Sequence, residues 1–153
     1  RDMREQTNIT VSRVINSPAN EIFDLLKLPQ RHRDFDGSGM IVSDDRTQRI
    51  QAVGDVFTMN MHHESQGGDY QMDNHVIAYV PNQVVGWAPA NAGEEPDGWQ
   101  WVYTLTPQGP DATEVELSYD WSRVTDKNLL AMFPAVPEAA LEDSLNRLAA
   151  AVS

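Results

Sequence analysis

The sequence predicts an α+β domain in which one antiparallel sheet is covered by a single long C-terminal helix. Three observations carry that reading. Apolar and polar side chains alternate with period two from residue 56 to residue 121, with turn signals about every 8–12 residues. A short strand and two short helical pieces precede this stretch, and a leucine stripe of helical period follows it. At 153 residues the chain has the length of one domain, and a chain of this size buries roughly 68–70% of its unfolded surface. One domain over residues 1–153 is expected, with residues 1–8 as an N-terminal extension.

Each element has a local reason. Residues 9–15 place Ile9, Val11 and Ile15 on one face, with Val14 off the alternation, as in a short strand. Ser17 is positioned to cap the next helix, with Pro18 at the first helical position, where a missing N–H costs nothing. Ile22, Phe23, Leu25 and Leu26 form its apolar side, and Pro29 breaks it. A second helical piece over 30–35 ends at Gly37-Ser38-Gly39. Phe57, Met59, Met61 and His63 then alternate with Val56, Thr58, Asn60 and His62. Gly67-Gly68 turns the chain into a strand over 70–80, and Pro81-Asn82 leads to Val84, Val85 and Trp87. Residues 90–98 read as a wide loop. Beyond it Trp99, Trp101, Tyr103 and Leu105 share one face, and after a turn at 107–112 so do Val115, Leu117, Tyr119 and Trp121. Residues 126–133 read as a shorter helix that Pro134 separates from the last one. Pro137 opens that last helix, where Leu141, Leu145, Leu148 and Val152 form one stripe. Its span to Val152 corresponds to about 24 Å at ~1.5 Å per residue.

Composition excludes several functions. Eleven basic side chains stand against 23 acidic ones, a net charge of −12, so the surface repels phosphate backbones and anionic headgroups. Nucleic acid and stable membrane association are not expected. No apolar run approaches the ~20 residues that span a bilayer, and residues 1–9 lack the apolar core of a signal peptide. A cytoplasmic protein, monomeric or homodimeric, is the expectation. The absence of cysteine removes disulfides, thiolate zinc sites, iron–sulfur clusters and cysteine nucleophiles. Glu114, Glu116 and Asp120 alternate with the apolar set and form a solvated outer face.

The inward parity of the strands gives the candidate ligand-binding residues. They are Phe57, Met59, Met61 and His63 on one strand and Met72 and Asn74 on the next, whose parity is ambiguous and is chosen because Gln71 and Asp73 are the poorer core residues. Trp87, then Trp99, Trp101 and Tyr103, then Tyr119 continue the set, and Phe133 precedes the last helix. Flat rings with polar tips and flexible thioethers suit a pocket for a flat or greasy molecule. The same residues fill ordinary cores, and it is a sheet closing over one helix that favours a space between them. His62 and His63 are adjacent on a strand and point to opposite faces, so they cannot chelate one ion together. No His-Glu-x-x-His helix, Gly-x-Ser-x-Gly elbow or Gly-rich phosphate loop is present, and no cofactor is expected. His63 and Tyr103 remain as candidate proton donors or acceptors. Asp34, Asp36, Ser38, Gly39, Ile41 and Asp45 fall at calcium-loop spacing. Residues 46–49 carry no apolar helical stripe, however, and a turn leading into the second strand is the favoured reading.

Several strings, in order, resemble the START-like (SRPBCC) superfamily, in particular its bacterial polyketide cyclase/dehydrase and lipid-transport branch. They are Ile9 to Ile15 followed by Ser17-Pro18-Ala19-Asn20-Glu21-Ile22-Phe23-Asp24-Leu25-Leu26, and Pro29-Gln30-Arg31-His32 through Asp36-Gly37-Ser38-Gly39. Val53-Gly54-Asp55-Val56-Phe57, Asn74-His75-Val76 through Pro81, Trp87, Trp101-x-Tyr103-x-Leu105 and Ser144-Leu145-Asn146-Arg147-Leu148 follow in family order. The resemblance covers Ile9 to Val152. It implies the helix-grip fold, a seven-stranded antiparallel sheet around the C-terminal helix with an elongated apolar cavity. It also implies binding of a small hydrophobic or aromatic molecule such as a lipid, sterol or polyketide. In a minority of members the implied activity is cyclisation or dehydration in the same cavity. Catalytic residues differ between branches, so the resemblance assigns none.

Overall fold

The computed structural model describes residues 6–153. Seven strands form one antiparallel sheet in the order β1-β7-β6-β5-β4-β3-β2. They are β1 (Asn8–Ile15), β2 (Ile41–Asp44), β3 (Val56–His63), β4 (Gly68–Val80), β5 (Val84–Asn91), β6 (Gln100–Pro107) and β7 (Thr113–Asp120). The helices are α1 (Ala19–Leu26), α2 (His32–Phe35), α3 (Lys127–Leu130) and α4 (Glu138–Ala151). Of the extension expected over 1–8, residues 1–5 lie outside the described residues. Asn8 already pairs with Asp120 in the sheet.

Period-two alternation places the core as expected. Ile9, Val11 and Ile15 of β1 and Val115, Leu117 and Tyr119 of β7 are buried on the helix side. Arg13 shares that parity but is exposed, and its guanidinium donates to Asn146 Oδ1 of α4 at 2.7 Å. On β4, Met72, Asn74 and Val76 face inward. A bulge at Ile77 then shifts the register against β5, because Val76 pairs with Trp87 and Ala78 with Gly86. Such an extra residue bends the strand.

Several boundaries differ from the sequence reading. Pro18, not Ser17, is the N-cap of α1, and its carbonyl accepts the Glu21 and Ile22 N–H groups. The buried Ser17 hydroxyl instead donates to the Glu21 carboxylate at 3.1 Å. Residues 90 and 91, read as loop because of the neighbouring proline and glycines, extend β5. Pro89 is tolerated there because β5 pairs with β6 only from Val84 to Trp87, so the missing N–H breaks no ladder on that side. The C-terminal helix has 14 residues, shorter than expected, with Pro137 outside it as N-cap and Val152 as C-cap. Asp126 lies outside α3 and caps it, accepting the Asn128 and Leu129 N–H groups. The segment 34–45 turns from α2 into β2, and no helix follows it.

The grip is a close one. Leu141, Ser144, Leu145 and Leu148 form the buried face of α4. The Gly37 backbone lies so near this helix that its N–H donates to Ser144 Oγ at 2.8 Å. Leu26, Phe23 and Ile22 of α1 complete the packed half of the molecule. The half between α2 and the inner faces of β3–β6 is not filled.

Candidate functional site

That unfilled space is a cavity of about 560 Å³, well above the ~300 Å³ at which small-molecule pockets begin. All twelve candidate side chains line it: Phe57, Met59, Met61, His63, Met72, Asn74, Trp87, Trp99, Trp101, Tyr103, Tyr119 and Phe133. Trp121, of the same parity, does not reach it. Its indole is 2% exposed and stacks on Phe133 with centroids 5.9 Å apart. Periodicity missed the contribution of the short N-terminal elements, His32, Phe35, Asp36, Ser38 and Met40, together with Ser144 of α4. Tyr70 lies at the start of β4 on the parity of Met72 and was available to the same argument.

An aromatic box forms one end. The His32 ring stacks on Trp87 at 4.9 Å and meets the edges of Phe35 and Phe57. Tyr103 lies 6.0 Å from Trp87 and edge-on to Phe35. Beside it Trp101, the cross-strand partner of Trp87, stacks flat on Tyr119, with centroids 4.0 Å apart and planes 5° from parallel. Tyr119 is fixed in turn, since its hydroxyl accepts the Ala135 N–H at 3.2 Å.

His32 is buried with its Nε2 2.7 Å from the Leu26 carbonyl, a contact that requires Nε2–H to donate. Burial holds its pKa down to about 4, against the upward pull of that carbonyl. The imidazole is therefore neutral at pH 7. The unfolded chain takes up this proton near pH 6.5 and the folded chain only near pH 4, so the unfolded state binds more protons between them. Stability from this group is complete above pH ~6.5 and falls as the pH drops toward 4, by about 3 kcal/mol in all. Urea unfolding at pH 7 and pH 4.5 should show this loss, and His32→Gln should reduce the difference.

The two proton-transfer candidates differ in setting. Burial, with a smaller push from the Asp36 charge, drives the Tyr103 phenol far above its ordinary range, so it keeps its proton. Its hydroxyl makes no hydrogen bond among the described residues. His63 lies at the rim, where its Nδ1 accepts the Ser65 N–H at 3.1 Å, leaving Nε2 to carry the proton. His62 points to the opposite face and pairs with Asp69 at 2.7 Å. Among the described residues no three His, Asp or Glu side chains converge on a metal-sized site.

A sheet closed over one C-terminal helix, with its cavity at the end where the short helices pack, decides the architecture. The chain has the START-like (SRPBCC) fold. Solved structures with this fold include Ms6760 from Mycobacterium smegmatis, which superposes with a TM-score of 0.69 at 13% identity over 99% of this chain and 94% of that one. The Zhui aromatase/cyclase from Streptomyces sp. R1128 superposes at 0.66, with 12% identity over 95% of this chain and 92% of that one. At these identities the likeness is one of fold. The uncharacterized protein Rv0088 of Mycobacterium tuberculosis is 30% identical over 107 residues, covering 70% of this chain and 44% of the relative. The match thus spans less than half the length of that relative. No family model matches the sequence. Among the described residues no helix is long and apolar enough to cross a membrane.

Proposed function

We propose that the protein binds a small hydrophobic or aromatic molecule in this cavity. The observation that carries the reading is a space of about 560 Å³ walled by Trp87, Trp99, Trp101, Tyr103 and five methionines. A domain that only needed a core would have closed it, because each unfilled site forfeits dispersion contacts. Thioether side chains adjust to ligand shape, and the rings offer flat faces.

Catalysis on a polyketide-like substrate in the same cavity is the alternative, and it finds less support. Tyr103 holds its proton too tightly to cycle near neutral pH, and the His63 Nδ1 is occupied by Ser65.

Native mass spectrometry of the purified protein should reveal a co-purified small molecule, and the neutral dye Nile red should bind with micromolar affinity. Met61→Trp, which places an indole in the space, should weaken dye binding about tenfold or more while the melting temperature stays near that of the parent. A protein that carries no small molecule and binds no dye would refute the reading.

A further inference from the structure

Charge on the cavity wall is one-sided. Among the described residues neither lysine nor arginine lines the space, whereas Asp36 and Asp97 do. Asp97 is an exposed rim residue, but Asp36 is half-buried beside the aromatic box. One oxygen of Asp36 accepts the Ser38 hydroxyl at 2.6 Å. The other has no hydrogen-bond partner among the described residues. Its charge reaches both Tyr70 and Tyr103, raising each phenol as a lesser effect after burial. Arg147, which also feels Asp36, is paired with Asp143 at 2.6 Å outside the cavity.

The second Asp36 oxygen is open to a donor entering the cavity. We propose that the cavity selects a flat aromatic ligand bearing a protonated amine, with the amine set against Asp36 and the ring against Trp87 and Tyr103. The inference rests on the reading of the cavity as a binding site. It is supported three ways. An ammonium group supplies the missing donors and the compensating charge. The ring faces of Trp87 and Tyr103 attract cations. The overall charge of −12 draws cations toward the protein and repels anions. A carboxylate or phosphate ligand would lose its water in the cavity without meeting a counter-charge.

A matched indole series separates charge from shape: tryptamine as the cation, tryptophol as the neutral analogue and indole-3-propionate as the anion, each competing with Nile red. Tryptamine should displace the dye at least about tenfold more effectively than indole-3-propionate, and several-fold more than tryptophol. Asp36→Asn should bring the three within about twofold of one another. Asp34→Asn removes the same unit of charge at an exposed residue paired with Arg31, so it should leave the ranking intact. The inference is overturned if tryptamine is no better than tryptophol, if Asp36→Asn keeps the ranking, or if Nile red binds and none of the three displaces it. A failure of Nile red itself to bind would instead remove the binding reading. A parent protein that does not prefer tryptamine overturns the inference without any variant, so the test survives a variant that does not fold.

Discussion

Trp121→Ala should lower the unfolding free energy by about 3–5 kcal/mol, the cost of deleting a fully packed indole. Trp121 is 2% exposed, stacks on Phe133 and leans on Tyr119 at 5.1 Å. Deleting it opens a new hole in the part of the molecule that is already filled. Trp101→Ala provides the contrast. This residue is only half-buried and has one face on Tyr119, and it borders the cavity. Its loss enlarges an existing space and should cost about 1–2 kcal/mol. Urea unfolding of the two variants measures both, and equal costs would show that Trp101 does not border free space.

Gly37→Ala should be nearly as damaging, at about 2–3 kcal/mol, although it adds one carbon at a half-buried position. A Cβ there would lie 2.2 Å from the Ala140 carbonyl oxygen and 2.9 Å from the Ser144 nitrogen. Both are helix backbone and neither can rotate away. The loop must retreat from α4, breaking the bond from Gly37 N–H to Ser144 Oγ and moving Asp36 with it. Thermal unfolding should show the destabilisation, and Nile red affinity should fall in the fraction that remains folded. An alanine variant with an unchanged melting temperature would mean that the loop and helix are not in contact.

Much of this organisation was legible from the residues. Strand parity selected eleven cavity side chains because a half-buried strand repeats every two residues, although β4 read ambiguously and its direction rested on choosing Gln71 and Asp73 as the poorer core residues. The leucine stripe located α4 for the same kind of reason. What stayed hidden lies on elements too short to have a period. His32 and Phe35 occupy a single turn of helix, where no repeat says which side faces in, and Asp36 and Ser38 follow in a turn whose string also fits a metal loop. Their place in the wall depends on the approach of Gly37 to α4, about a hundred residues away in sequence. The end of β5 was misread because residues 90–98 are rich in Glu, Pro, Asp and Gly, and Pro89 stands just before them. Only the absence of a β6 partner beyond Trp87 makes it compatible with a strand. Ser17 was misassigned because a serine before a proline satisfies the cap pattern, while its hydroxyl found Glu21 instead.

The short pairing of β5 with β6 has a dynamic consequence. From Ala88 to Asn91 this strand is hydrogen-bonded to β4 alone, and Trp87, Pro89 and Asn91 lie along the cavity at that place. Separating the two strands there breaks no inter-strand bond, so it is among the least costly local openings in the sheet. Amide protons in this stretch should trade with solvent sooner than those of β7, which is bonded on both flanks.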